Sequence, residues 1–420
     1  MDEELLKRFE ALGIHRGFPL KGNAENHTCR ITQSIETAFP TGKFLEEYLH
    51  SVFTLDHVYR SGYLHGKTSL ETNPEAPIYA GFVNSESSIS HTQLLFLDVE
   101  TSSLSPGSGT LVFLVGLGYW TSAGYHTHQV FLNEPGDELS FLAYLDDWLS
   151  RYPVLVTFNG QAFDLPILNQ RFLVNGIRSE ILKRPHIDVL TLARRLWRKR
   201  YPSRRLAFLE QEVLGFTRSE VEIPSWMVPE IYVQYLRQGE IQYLPGVFYH
   251  NEMDILSLAG LFLYIENLLN NPRTWNGLSA GEIYGLLIEM ERQNGNIENL
   301  IAFLNAMLEN FEGQQSDTPE SAHLWLTAGR IFKRNEMYSQ ALACWEKAAQ
   351  MDSIDACLEL SRYCERNRHD LVNALAWVDR AIKILDAQPG PFHKGHFTML
   401  SQRRLRLLTL MGKRRQSNAT

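Results

Sequence analysis

The stretch that most constrains this chain is residues 94–104, LLFLDVETSSL, an apolar run broken off by two acids, Asp98 and Glu100. Four apolar residues ahead of the first acid read as a buried strand. Side chains two apart on a strand share a face, so the two carboxylates stand side by side at its end. Like charges held together at the edge of a core repel and lose hydration, and a cation between them relieves both effects. Such a strand calls for further acids elsewhere in the chain.

Two more motifs supply them. Asn159-Gly-Gln-Ala-Phe163-Asp164 follows an apolar strand read over 154–158 and opens a helix read over 164–174. That places Asp164 at the C-terminal edge of a sheet, where open α/β sheets keep their sites; taken alone it reads as an ordinary first-turn acid. His250-Asn-Glu-Met-Asp254 opens an apolar helix read over 255–269. A separation of four puts His250 and Asp254 on one side of a helix, while Glu252 is expected to face solvent. Asp98, Glu100, Asp164 and Asp254, each at an element end, together meet the need of a phosphodiester site. Their hard oxygens suit two ions of Mg²⁺ or Mn²⁺, roughly 4 Å apart across the scissile phosphate. A neighbouring His or Tyr deprotonates the attacking water.

The elements around these motifs follow one order. Strands are expected over 94–104, 111–120 and 125–132, with a Gly/Ser/Pro turn at 105–109, then a helix over 137–150 with Asp137 as N-cap. Strand 154–158 and helix 164–174 come next, and the chain from 190 to 269 reads as almost wholly helical. Three strands followed by alternating helices and strands is the order of an α/β core of the RNase H-like type, a mixed sheet flanked by helices. Residues 1–90 read as an ordered extension of unknown role, with a helix over 3–12 and short strands such as 80–83. The core spans 91–270.

From 278 to 420 the chain reads as an all-α array of helical repeats. Ala322-His-Leu-Trp-Leu returns as Ala356-Cys-Leu-Glu-Leu and Ala341-Leu-Ala as Ala374-Leu-Ala, offsets of 34 and 33 residues. Trp325, Gly329, Tyr338, Ala341 and Ala348 fall where a tetratricopeptide (TPR) repeat alternates large and small residues. A helix pair over 281–311 and a capping helix over 396–411 complete a TPR-like domain, with a protein partner as its expected ligand.

A formal charge of −8 over 420 residues excludes a wholesale polyanion binder, so contact with nucleic acid must come from a local basic patch. One lies at 190–206, which carries Arg194, Arg195, Arg198, Lys199, Arg200, Arg204 and Arg205 and no acid. Beside a phosphodiester site it is read as contacting a phosphate backbone, against the plainer account of a solvated helix face. Trp197 is expected to pack under this segment, and Tyr201 to stack on bases or pack with it. Four cysteines, Cys29, Cys344, Cys357 and Cys364, show no metal-like spacing and point to a reducing compartment. With an acidic, amphipathic start unlike a signal peptide and no membrane span, the expected location is cytoplasmic.

Asp98-Val-Glu100-Thr, Asn159-x-x-x-Phe163-Asp164 and His250-x-x-x-Asp254 resemble the three motifs of the DEDD 3′–5′ exonucleases, the second being similar to that of the B-family DNA polymerase proofreading domain. Joined to TPR-like helices, the core resembles the YprB-like bacterial family with its ribonuclease H-like exonuclease domain. The resemblance implies a metal-dependent 3′–5′ exonuclease acting on single-stranded DNA or RNA. Asp98, Glu100 and Asp254 would hold one ion, and Asp98 and Asp164, the latter through water, the other. His250 stands at the position of the tyrosine subclass and Tyr249 at that of the histidine subclass, the reverse of both. His250 is taken as the base because its helical phase matches Asp254, with Tyr249 as alternate. Thr101, Ser102, Asn159 and Phe163 are candidates for gripping the 3′-terminal nucleotide, with burial at least an equal reading for Phe163, and Asp188 is expected to serve a structural or substrate-side role. His126, His128 and His186 are read as core or surface residues. The competing expectation is a binding scaffold organised by the TPR-like domain, without cleavage.

Overall fold

Leu94 and Phe96 enter one apolar core while Leu95 and Leu97 enter a second on the opposite side, so the strand that bears Asp98 and Glu100 runs through the middle of a sheet covered on both faces. The computed structural model describes residues 35–46, 48–83, 88–103, 109–198, 200–219, 222–275, 277–292, 297–310, 318–387 and 393–417. The helix expected over 3–12, Cys29 and most of the 105–109 turn lie outside the described residues.

The strands are β1 (Lys43–Leu45), β2 (Val52–Tyr59), β3 (Leu64–His65), β4 (Thr68–Ser69), β5 (Leu94–Thr101), β6 (Val112–Thr121), β7 (Gly124–Phe131), β8 (Val154–Thr157) and β9 (His186–Asp188). Among the described residues the main sheet has the order β1-β2-β7-β6-β5-β8-β9. β8 runs parallel to β5 and β9 parallel to β8, and the other pairs are antiparallel. This is the mixed sheet expected of the core, with two differences. The expected break near residue 90 is bridged, because β2 pairs along its length with β7, a neighbour distant in sequence. Residues 80–83, expected as a strand, form turns and bends, and the short β9 stands before the helical region instead.

Helices follow the strands as α1 (Glu138–Arg151), α2 (Asp164–Val174), α3 (Val189–Leu196), α4 (Val228–Gln238) and α5 (Leu244–Asn270). Asp137 occupies the N-cap position of α1 without a side-chain cap bond and stands 3.7 Å from His50 instead. The stretch read as almost wholly helical is interrupted by non-helical chain at 197–198, 200–205, 215–219 and 222–227. α5 begins at Leu244 with Pro245 in its first turn, a position that has no use for the missing amide hydrogen. His250 and Asp254 therefore lie inside one helix of 27 residues rather than at the start of a shorter one.

α5 reaches the sheet through two glycines. Gly116 pairs across the ladder with Asp98 and Gly118 with Phe96. A Cβ on Gly116 would meet Asn251 Oδ1 at 2.4 Å, and one on Gly118 would meet Ile255 at 2.7 Å. The bare strip along β6 lets the helix settle close enough for its polar residues to touch the acidic strand. Gly116→Val is expected to cost roughly 1–3 kcal/mol by overpacking and to lift Asn251 from its seat. Thermal denaturation checks this, and an unchanged melting temperature would contradict the close packing.

The remaining helices are α6 (Ala280–Arg292), α7 (Ile297–Asn310), α8 (Pro319–Arg334), α9 (Tyr338–Gln350), α10 (Ile354–Arg366), α11 (Leu371–Ala387) and α12 (His393–Ser417). This helical region is continuous with the sheet domain, since one apolar core runs from Phe96 through Leu268, Trp275 and Leu286 to Leu407. α6 sits against the end of α3, where a Cβ on Gly285 would meet the Leu196 carbonyl at 2.7 Å.

Candidate active site

Asp98 and Glu100 leave the core together at the end of β5, where the ladder with β6 shifts register between Glu100 and Thr101, a bulge of the kind that re-aims side chains. Both are half-buried. Asp98 Oδ2 accepts a 2.9 Å bond from Asn251 Nδ2. Asn251 is fully buried, and its own carbonyl accepts from Gln129 Nε2 at 2.9 Å. Asp98, Gly116 and Gln129 face one another across β5, β6 and β7, so a polar row crosses the sheet beneath α5.

From α5, His250 and Asp254 turn toward the same end. His250 Nε2 lies 3.8 Å from Glu100 Oε1 and 3.5 Å from Asp254 Oδ2. Glu100, His250 and Asp254 each offer one donor atom within 4.8 Å of the other two. Asp98 and Asp164 stand outside this trio and are coupled to it through charge. Burial, then Asp254, Glu100 and Asp164, push the Asp98 carboxyl well above its ordinary range. Burial raises Glu100 to about 8, with His250 opposing and Asp254 and Asp164 reinforcing the shift. Asp164, in the first turn of α2, is raised to about 7 by burial, Asp188 and Asp254. A divalent cation among these groups would remove the repulsion that their burial creates.

His250 is locked by its other nitrogen, with Nδ1 2.7 Å from Glu222 Oε1. Burial favours the neutral ring, but Asp254, Glu222 and Glu100 overcome it and raise His250 to about 9. Its Nε2 faces the carboxylates, so this edge is a proton acceptor or an ion ligand once a cation offsets their charge. Tyr249 points elsewhere, its hydroxyl oxygen accepting the Ser219 amide at 3.0 Å.

The structure adds a cation that sequence reasoning missed. Arg218 donates to Asp254 Oδ1, to Glu210 through Nε at 2.9 Å, and to Glu222 through Nη1 at 2.9 Å. Arg218 lies in an unremarkable loop, and its pairing with Asp254 spans 36 residues, so no local spacing revealed it. Glu252 also departs from expectation. It is buried, accepting from His57, Tyr59 and Thr127 at 2.6, 2.7 and 2.8 Å, because β2 covers the face of α5 that looked free.

Other residues singled out above divide by what holds them. Thr101 donates to the Ser103 carbonyl and Ser102 Oγ accepts the Leu111 amide, at 2.8 and 2.9 Å, both within the β5–β6 connection. Asn159 has φ of 70°, and its amide donates to Asp188 Oδ1 at 2.9 Å. Asp188 also caps α3 through the Leu190 amide, a structural role. Phe163, next to Asp164, is 49% exposed. Arg194 and Arg198 are exposed, whereas Arg195 pairs at 3.1 Å with the buried Glu289 of α6, which reduces its availability for phosphate. Trp197 is buried. His126, His128 and His186 bond Thr121, Asp56 and Thr157 respectively.

Among the described residues no helix is long and apolar enough to cross a membrane. Residues 95–265, which run from β5 into α5, match the family model of the RNase H superfamily. Among solved structures, the chain is similar to the family B DNA polymerase of the archaeon Pyrobaculum calidifontis, with 16% identity and a TM-score of 0.34 over 64% of this chain and 36% of that one. It is also similar to ExoI of E. coli in a zinc-bound complex with single-stranded DNA, at 14% identity and a TM-score of 0.25 over 70% and 99% of the two chains. A relative is much nearer in sequence. The uncharacterized protein YprB of Bacillus subtilis (strain 168) is 30% identical over 317 residues, 71% of this chain and 73% of that protein, and the chain belongs to the YprB family.

Proposed function

We propose that this protein is a divalent-metal-dependent nuclease, a 3′–5′ exonuclease that hydrolyses phosphodiester bonds of single-stranded DNA or RNA. The observation that supports this reading is the meeting of Glu100, His250 and Asp254 donors within 4.8 Å of one another, ringed by Asp98 and Asp164 on an RNase H superfamily sheet. Asp98, Glu100, Asp164 and Asp254 are the ligands in this reading, and Mg²⁺ or Mn²⁺ suits their oxygens. Bound as a pair, such ions activate water and steady the leaving oxygen.

The chain's own residues do the rest. His250, fixed through Glu222, presents Nε2 to take the proton of the attacking water. Phe163 offers an exposed ring beside Asp164 on which the terminal base stacks. Asn159, Thr101 and Ser102 border the terminal nucleotide, and Arg194 and Arg198 meet the phosphates upstream. In the helical region, α8–α9 and α10–α11 form two TPR-like pairs. Gly329 has no Cβ to strike Trp345 Nε1, which would lie 2.3 Å away, and Ala341 and Ala348 are buried as such pairs require. A protein partner is assigned to this array.

The test is a labelled oligonucleotide incubated with the full chain and Mn²⁺. A 5′ label is expected to give a ladder of shortening products that EDTA abolishes, and a 3′ label mononucleotide from the outset. No cleavage of single-stranded, recessed or flapped substrates would overturn the proposal. One observation favours the scaffold instead: Asp254 already meets cations at both oxygens, Arg218 at Oδ1 and His250 Nε2 at 3.5 Å from Oδ2. Absence of Mn²⁺ binding by calorimetry, together with a partner pull-down lost on deleting the residues after 270, would support that second reading.

A further inference from the structure

The acid cluster continues into the protein interior as a chain of hydrogen bonds that ends in the N-terminal hairpin β3–β4. Arg218 grips Glu210 with two nitrogens, Nε at 2.9 Å from Oε1 and Nη2 at 2.8 Å from Oε2. Ser257, three residues beyond Asp254 on α5, donates its hydroxyl to Glu210 Oε2. His65 Nε2 lies 2.7 Å from that hydroxyl. The single Ser257 proton is committed to Glu210, so His65 donates through Nε2, and burial together with the nearby Arg218 charge keeps its ring neutral.

The hairpin holds the Arg218 segment by its backbone as well. The Lys67 amide donates to the Leu214 carbonyl at 2.7 Å. Gly66 permits that approach, since a Cβ there would meet the same carbonyl oxygen at 2.2 Å. The His65 ring stacks on Phe216 with centroids 4.0 Å apart. Residues 210–218 are thus fixed at several points to a hairpin whose sequence offers no catalytic motif.

We propose that Arg218 is a positioning residue for Asp254, anchored through Glu210, Ser257 and His65 to the N-terminal hairpin. By taking Oδ1 it leaves Oδ2 turned toward His250, in the group completed by Glu100 where a divalent cation would bind. Its side chain is 8% exposed and is shared among three carboxylates, which keeps it from the phosphates of a substrate. This inference rests on the metal-site reading above and gives the early part of the chain a role in it.

Calorimetric titration of the full chain with Mn²⁺ tests the proposal. Arg218→Lys keeps the charge, and with it the local potential, but loses the planar fork, so a change in affinity reports geometry. The expected result is a dissociation constant raised about tenfold or more, the scale of effect seen when a ligand's supporting partner is removed. Ser257→Ala, which alters no charge and lies outside the ion pocket, is expected to raise it by a smaller factor. It decides the matter if Arg218→Lys does not fold. A role confined to stability would lower the melting temperature and leave the dissociation constant alone; an unchanged constant, or tighter binding in Arg218→Lys, overturns the proposal. Failure of the unaltered chain to bind Mn²⁺ would instead bring down the metal-site reading and this inference with it.

Discussion

Asp98→Asn is expected to reduce phosphodiester cleavage by on the order of 10³-fold or more, the scale on which losing one preorganised electrostatic contact at a reacting centre is felt, while making the metal-free protein more resistant to heat. Asp98 adjoins both halves of the acid cluster, since burial, Asp254, Glu100 and Asp164 all raise its carboxyl. An amide has the same shape and can still accept the Asn251 bond, but it carries no charge for a cation and none for its neighbours to repel. The protonated aspartate resembles the amide, so the gain in melting temperature is smallest at acid pH. As pH rises and the aspartate ionises among its acidic neighbours, the gain grows to a few degrees. Oligonucleotide cleavage and scanning calorimetry read the two effects. Retained cleavage, or a lower melting temperature than the unaltered chain at pH 9, would contradict this account of the site.

The second large effect is a pH-dependent stability that Mn²⁺ reverses. Burial and neighbouring charge raise Glu100 to about 8 and Asp164 to about 7, and Asp254, Glu222 and Glu100 raise His250 to about 9 against burial. A group whose folded pKa lies above its unfolded value stabilises fully below the unfolded value and loses that contribution as pH rises through the folded one. For the carboxylates the loss runs from about pH 4 upward through 7 and 8, and for His250 from about 6.5 through 9. The melting temperature of the metal-free chain should therefore fall between pH 6 and pH 9. Asp56, lowered by His128, and Glu222 and Glu252, lowered by their histidine partners against burial, act at acid pH, below this window. Mn²⁺ competes with the protons held by the cluster, so its stabilisation should be larger at pH 8.5 than at pH 6. It amounts to about 2.7 kcal/mol at one hundred times the dissociation constant. An equal Mn²⁺ shift at both pH values would contradict the arrangement.

What could be read from the residues alone was what lay within one or two elements. The apolar run before Asp98 gave a strand because burial on both sheet faces leaves a continuous hydrophobic signature. The i,i+4 spacing of His250 and Asp254 put them on one side of α5 because helix geometry is local. Residues whose partners are remote escaped. Asn251 looks like spacer between His250 and Asp254, yet it is pinned by Gln129 of β7, 122 residues away. Glu252 was read as exposed because nothing near it in sequence announces that β2, carrying His57 and Tyr59, crosses to cover it. Arg218 and Glu210 carry no motif at all, and only the path of the chain around β3–β4 brings them beneath Asp254. The register of the sheet against α5 was equally hidden, since nothing near Gly116 and Gly118 in sequence announces the helix that lies on them.

The most direct test of the central claim is an anomalous-scattering map from crystals of the full chain soaked in Mn²⁺. The account predicts two peaks, roughly 4 Å apart, one bonded to Asp98, Glu100 and Asp254 and the other bridging Asp98 toward Asp164. A soaked crystal whose anomalous density lies elsewhere, with Arg218 and His250 still closing off Asp254, would contradict it.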